Sequence, residues 1–398
     1  DKDSTGGERQ LTPNSVWIGF VMLGITIVGH IFLVSLVLGL AFMAPILEYL
    51  SYRNRALANV ARNALKYLAV SELAAGVWAT WFTVALAGFW PQLTFIATDV
   101  LFVPLAIGIT GVLIGIPFMA IYWYTWETVS KRIHIVIGAV MAMGALLVPI
   151  GFNMIFSFLD DPVGMNRALA GNALAVFQNP IYPDFTLHRI SAAISMAAMV
   201  FAGVYAIKAY KSGSESHREA SRFGLYLGMP ALFVATATGV IYAFLLNKYS
   251  PYMASAVLGP LSTVSVSTYV RAYPGFVAFM GVVTLIWATA VFNALHAKYD
   301  FAKAISSGLM VVSSLLGVPL GEILNDYPRY PYMIVKGTSG LEAQLFINKW
   351  MYIPPSFAYA AMIVGTILMC VFTYMIYLVF SQKLPGQRPA TPGVSARE

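Results

Sequence analysis

Four side chains stand out by type and setting. His30, in "IVGHIFLVSLVLGLAF" (27–42), is the only ionisable residue between Val16 and Leu47. His188 follows "NPIYPDFT" at the start of another apolar run, Met280 sits in "GFVAFMGVV", and Asp326 closes a run in "GEILNDYPRYPY". An ionisable group inside an apolar span costs about 2.5–3.5 kcal/mol or more at the centre, so it is read first as functional. Taken alone, His30 is read more readily as hydrogen-bonding a neighbouring helix, and Met280, one of 18 methionines, as core packing. Together, an imidazole and a thioether suit haem iron, and a His/Met pair raises its potential.

The elements that must hold these residues are membrane spans. The 398 residues are 59% hydrophobic and only 10% charged, with a mean hydropathy of +0.74; soluble globular chains carry about 25% charged residues. Apolar runs of about 20 residues fall near 15–48, 66–90, 99–126, 133–159, 185–210, 221–247, 273–297, 301–325 and 354–381. They are too long and too uniformly apolar for barrel strands. The fold class is therefore an all-α polytopic membrane protein of about nine transmembrane helices. The domains read as a polar N-terminal segment (1–14), one nine-helix domain (15–381) and a Pro/Gly-rich disordered tail (382–398). The opening stretch has no signal-peptide pattern and begins without Met, as a processed or trimmed chain would.

Charge sets the orientation. With the N-terminus outside and the C-terminus inside, the short inner connections hold 15 of the 24 Lys and Arg residues, as the positive-inside rule requires. The net charge of +7 is thereby accounted for without a nucleic-acid partner. The longer outer connections are 159–185, 248–272 and 326–353; loops of that length carry or cover sites.

Depth then groups the candidates. His30 precedes Glu48, at the inner end of its helix, by 18 residues, or about 27 Å at ~1.5 Å per residue. That places it in the outer part of a core ~30 Å thick. His188 and Met280 lie near the outer starts of the fifth and seventh spans, and Asp326 at the outer end of the eighth. His134, His217 and His296 stand at inner span ends and read as interfacial. The single cysteine, Cys370, excludes an intramolecular disulfide and a C-x-x-C-H attachment site, so a bound haem is non-covalent. No P-loop, dinucleotide fingerprint, H-E-x-x-H or cysteine ligand set occurs.

These segments resemble subunit I of the cytochrome bd quinol oxidases. "GHIFLVSLVLGLAF" is similar to that family's first helix, "DVLFVPLAIG" to the start of its third, and "FSFLDDPVGM" to the end of its fourth, with Asp160 in place of the usual amide. "NPIYPDFTLHRISAAISMAAMVFAGVYA" resembles the fifth helix, "GFVAFMGVV" the seventh, and "NDYPRYPY" an acidic residue followed by a Gly-Arg-Gln-Pro-Trp run. The resemblance implies that His188 and Met280 are axial ligands of a low-spin haem b. It further implies that His30 ligates haem d or a further haem b where oxygen binds, that Asp326 replaces a glutamate ligand, and that Arg329 lies near haem propionates. It also implies an oxidoreductase of a prokaryotic cytoplasmic membrane, with a second polytopic subunit and further redox subunits as partners.

Two departures divide the functional expectations. The family's two carboxylates in the third helix read Gly108 and Ile116 here, and no acid occurs between Asp99 and Glu127. Glu72 and Glu322 are the acids that could substitute, or they are paired structural acids. The outer loop "NKYSPYMASAVLGPLSTVSVSTYVRAYP" has no Asp or Glu to accept the protons of a quinol. The expectations are thus a divergent bd-type oxidase subunit moving electrons from an outer donor to oxygen, a haem b electron-transfer subunit without oxygen chemistry, or a haem-free anchor or transporter subunit.

Overall fold

The computed structural model describes residues 13–348 and 355–381. The expected disordered tail and most of the polar N-terminal segment lie outside the described residues. Along the chain the helices are α1 (Pro13–Ser51), α2 (Ala58–Phe89), the short α3 (Pro91–Asp99), α4 (Phe102–Tyr124), α5 (Lys131–Asp160), the short α6 (Met165–Leu169), α7 (Tyr182–Ser212), α8 (Glu215–Tyr249), the short α9 (Pro251–Leu258), α10 (Tyr273–Leu295), α11 (Phe301–Asp326) and α12 (Pro355–Ser381). Among the described residues, nine helices are long and apolar enough to cross a membrane. The chain is an integral membrane protein built as a helical bundle. The end at which α1 begins is termed upper below, and the end at which it finishes lower.

Local sequence explains the breaks. The predicted third span, 99–126, is α4, and the stretch between it and the second span folds as the short α3, which ends at Asp99 before α4 starts at Phe102. Pro104 forbids a helical carbonyl four residues earlier, at Val100, so one helix cannot run through. α2 begins at Ala58, eight residues before the predicted start near 66, because its first turns carry Asn59, Arg62 and Asn63. Those turns are helical but polar, and hydropathy marks only the lipid-compatible part. α7 stops where Gly213 takes a left-handed conformation (φ 66°). α11 starts on Asp300, whose side chain accepts the Lys303 amide at 3.0 Å.

α7 is the most enclosed span and packs against α8, α11, α1 and α5. Between helices in lipid, close packing replaces the hydrophobic drive, so small residues mark the crossings. α4 and α5 cross on Gly108, Gly111, Gly144 and Gly151; a Cβ on Gly151 would lie 2.3 Å from the Gly108 amide nitrogen.

The upper connections are structured. The 248–272 segment folds as α9 and an extended stretch, tied down by Ser262 and Thr263 to Asn247. After α11 the chain forms an antiparallel hairpin, β1 (Tyr332–Lys336) with β2 (Ser339–Glu342). Tyr252 of α9 donates to the Tyr330 carbonyl at 2.7 Å, locking these two connections together.

Candidate functional site

The bundle encloses a cavity of about 1000 Å³, at the top of the range for ligand sites. Its wall includes His30 from α1, His188 from α7, Met280 from α10, Asp326 from α11 and Arg329 just beyond it. Five residues far apart in sequence therefore face one space, which α9 covers from above through Met253, Val257 and Leu258.

Each side chain is held so that one group is left for the cavity. His188 Nδ1 lies 2.8 Å from the Ala235 carbonyl. A carbonyl only accepts, so Nδ1 carries the hydrogen and the Nε2 lone pair stays free. Metal-bound histidines are oriented in this way. Gly239 lets α8 approach the ring; a Cβ there would lie 3.1 Å from His188 Cε1. His30 stacks on Phe82, with ring centroids 6.1 Å apart, and its buried Nδ1 has no hydrogen-bond partner. Met280 is 41% exposed, so at its side the cavity wall is open.

The upper part of the cavity carries buried charges. Arg329 Nε donates to Asp160 Oδ1 at 2.8 Å and Nη1 to Asp326 Oδ1 at 3.1 Å. The Tyr242 hydroxyl lies 3.0 Å from Asp160 Oδ2. One turn below Asp326 on the same helix face, Glu322 Oε2 accepts from Arg189 Nη2 at 2.5 Å. Two guanidinium groups thus serve three carboxyls. Breaking one such buried pair exposes an uncompensated charge, a penalty of about 3–5 kcal/mol.

This network is not fully paired within the chain. Fifteen buried side-chain polar atoms among the described residues have no hydrogen-bond partner, and eight belong to residues of the cavity wall. They include Arg189 Nη1, Arg329 Nη2, Glu322 Oε1 and Asp326 Oδ2. Unmade buried bonds cost about 1–3 kcal/mol each, and folded proteins keep few of them. Their concentration on residues that line one cavity marks a candidate site for a polar ligand. A free imidazole nitrogen, a thioether and unpaired guanidinium hydrogens fit an iron porphyrin and its carboxylates.

Two expectations change. His134 is not interfacial but 1% exposed. Its Nδ1 lies 2.8 Å from both Glu48 oxygens and its Nε2 2.8 Å from the Tyr122 carbonyl. The preceding Lys131 and Arg132 suggested a surface position, but the helical turn places residue 134 on the inward face of α5. Second, Gly108 is closed as well as neutral: a Cβ there would lie 2.7 Å from the Phe152 ring. Ile116 lines the cavity and is 42% exposed, but its side chain cannot titrate. Sequence reasoning also passed over Arg189, noted only as an outer basic residue. The available signal was an arginine inside an apolar run with an acid, Glu322, in another run at a similar depth.

The comparisons agree with this architecture. A structure of bd oxidase from Geobacillus thermodenitrificans aligns with a TM-score of 0.73 at 17% identity, covering 92% of this chain and 98% of that one. No curated protein matches the sequence. The family model described as cytochrome bd terminal oxidase subunit I matches residues 21–274. The chain belongs to the cytochrome bd terminal oxidase subunit I family.

Proposed function

We propose that this chain is the haem-carrying subunit of a divergent bd-type oxidase in a prokaryotic cytoplasmic membrane, with its upper end outside. His188 and Met280 hold a low-spin haem b. His30 ligates a second haem, of d or b type, and is the site at which oxygen is reduced. Asp326 offers a carboxylate, and Arg329 uses its unpaired Nη2 for haem propionates. The observation carrying this reading is the single cavity into which all five side chains face while its wall keeps unpartnered polar atoms.

A haem iron bound at His30 supplies one-electron steps to oxygen; the protein's part is to hold the ring nitrogen, keep the surroundings apolar and bring protons. His188 acts through Nε2 because Ala235 fixes the other nitrogen. Arg189 and Arg329 place positive charge beside the cavity, which suits the two carboxylates at a porphyrin edge. A second polytopic subunit covers the side left open at Met280, and further redox subunits deliver electrons from above.

A second reading is an electron-transfer subunit without oxygen chemistry. It is favoured by the filled space at Gly108, which leaves no room for a carboxylate there. A reduced-minus-oxidised spectrum of the purified complex, with and without carbon monoxide, tests both. The oxidase reading expects a low-spin haem b band and a second haem whose band shifts on adding carbon monoxide. A haem b signal with no response to carbon monoxide leaves electron transfer alone, and absent haem bands overturn both.

A further inference from the structure

The cavity does not stop at His30. On α1 its wall continues through Ser35, Leu38 and Ala41, eleven residues and about 16 Å below His30. Leu68 of α2, Met119 of α4 and Met141 of α5 close its floor. Glu72 projects into this lower extension from α2. It stands one turn below Ala75, whose backbone contacts His30. Among the described residues, no hydrogen bond or ion pair involves the Glu72 carboxyl. The helices packed on α2 bring no other charge to its level. α4 and the described part of α12 contain no Asp, Glu, Lys or Arg, and α1 offers only His30 above and Glu48 below. α8 carries charges only near its two ends, and α3 only Asp99 at the upper end. An unpaired carboxyl inside a span is costly, and packing gives no reason for it.

Below the floor lies the second buried ionisable group. Glu48, about two turns beneath Ala41 on α1, is fully enclosed with His134 and Tyr122. Tyr122 donates to its Oε2 at 2.5 Å, and Tyr52, at the lower surface, donates to its Oε1. Because His134 Nε2 must donate to the Tyr122 carbonyl, one further hydrogen is shared between Nδ1 and the Glu48 carboxyl. The pair therefore holds a proton between the lower surface and the cavity floor. Met119 lies one turn from Tyr122, and Met141 two turns from His134.

We propose that Glu72 is the proton-carrying carboxyl of this protein, receiving protons from the lower side through the Glu48–His134 pair and releasing them into the cavity beside His30. This replaces the route closed at Gly108 and rests on the haem reading above. The transfer is balanced: the carboxyl gains a proton from below and returns to carboxylate as the proton passes upward, with no electron moved. The space between the floor and Glu72 belongs to a cavity large enough for several water molecules, each needing roughly 30 Å³.

The test uses the purified complex. The midpoint potential of the haem at His30 is titrated spectroscopically against pH. One proton taken up per electron gives about 59 mV per pH unit, the value of a tenfold change for a one-electron couple. Native protein is expected to approach this slope, Glu72→Gln to flatten it, and Glu72→Asp to restore it. His134→Gln is expected to leave the slope and to slow proton uptake on reduction at least tenfold, followed with a pH-indicating dye. The native protein offers a check that needs no variant: a hydrophobic carbodiimide should label Glu72 when reduced and spare it when oxidised. A Glu72→Gln protein with native haem bands and an undiminished slope overturns the proposal, as does the absence of label at Glu72 in both states. Unchanged uptake in His134→Gln removes the Glu48–His134 pair from the route. Missing haem bands in the native complex instead defeat the functional reading on which the proposal rests.

Discussion

The two ends of the bundle each bury a cluster of ionisable side chains, and they are finished differently. At the lower end Glu48 receives both tyrosine hydroxyls and the His134 imidazole, and no polar atom of Glu48 or His134 lacks a partner. At the upper end Arg189, Glu322 and Asp326 each pair once and Arg329 twice, and each of the four leaves one buried polar atom without a partner. A satisfied cluster specifies how helices meet; a half-satisfied one is the costlier arrangement unless something else completes it. The contrast separates a cluster whose bonds are all made within the chain from one whose bonds are not. The lower cluster ties α1, α4 and α5 and is complete in the chain itself, whereas the upper one leaves polar atoms unpaired.

The sharpest way to break this contrast is to remove a ligand candidate above. Met280→Leu keeps volume and apolar character, so the fold should tolerate it at under about 1.5 kcal/mol. The low-spin haem signal should nevertheless be lost, converting to high-spin in absorption and electron paramagnetic resonance spectra. An unchanged low-spin spectrum removes Met280 from the site. His188→Ala should abolish the same signal entirely, since no second imidazole among the described residues lines that part of the cavity apart from His30.

Next in size is Arg329→Met. The side chain is 4% exposed and serves Asp160 and Asp326 together. Removing it strands two carboxyls, and the expected destabilisation is about 3–5 kcal/mol, read as a lowered midpoint of thermal unfolding in detergent. Restoring neutrality with Arg329→Met and Asp160→Asn together should recover part of that loss. If the single variant is as stable as the native protein, the upper charges are not coupled as their distances indicate.

How much of this was legible beforehand depends on the kind of signal. Nine spans, their order and the depth of His30, His188, Met280 and Asp326 follow from hydropathy, charge bias and the rise of a helix, because each is a one-dimensional property. The short α3 was not anticipated, because at nine residues it is too brief to register as a span. Which face a residue takes, and what meets it there, is three-dimensional. His134 next to Lys131 and Arg132 read as a surface residue, yet the α5 face on which it falls packs against α1 and Tyr122. The Arg189–Glu322 bond joins residues 133 positions apart and depends on the α7–α11 crossing, which no local pattern encodes. Gly108 was read as a missing acid; that Phe152 fills the space could come only from the α4–α5 packing.

The lower cluster gives a smaller, opposite effect. Glu48→Gln keeps the shape and one acceptor oxygen but replaces the other with a donor amide. Either Tyr52 or Tyr122 then loses its acceptor, and His134 faces a weaker partner. The expected cost is about 1–3 kcal/mol, with haem bands unaltered. Burial, reinforced by the Glu48 carboxylate, pushes the Tyr52 phenol up, so the hydroxyl remains a donor across the working range and the cluster should hold without change between neutral and moderately alkaline pH. A haem spectrum altered by Glu48→Gln would erase the distinction between the two ends.

The smallest effect calibrates the others. Arg62 on α2 and Glu127 beyond α4 form an ion pair at 3.0 Å at the lower surface, with 62% and 73% of their side chains exposed. Its partners resemble those of Arg329 and Asp160 in chemistry and in distance, so exposure is the variable that differs. Water screens the exposed pair, and two long side chains lose freedom in forming it, leaving about 0.2–1 kcal/mol. Arg62→Ala should therefore move the unfolding midpoint far less than Arg329→Met. That small shift should vanish as salt rises well above ~0.15 M, where screening acts within about 8 Å, whereas the Arg329 effect should persist because its pair is shielded from ions. Equal costs for the two arginines, or equal salt sensitivity, would mean that burial is not what sets the upper charges apart.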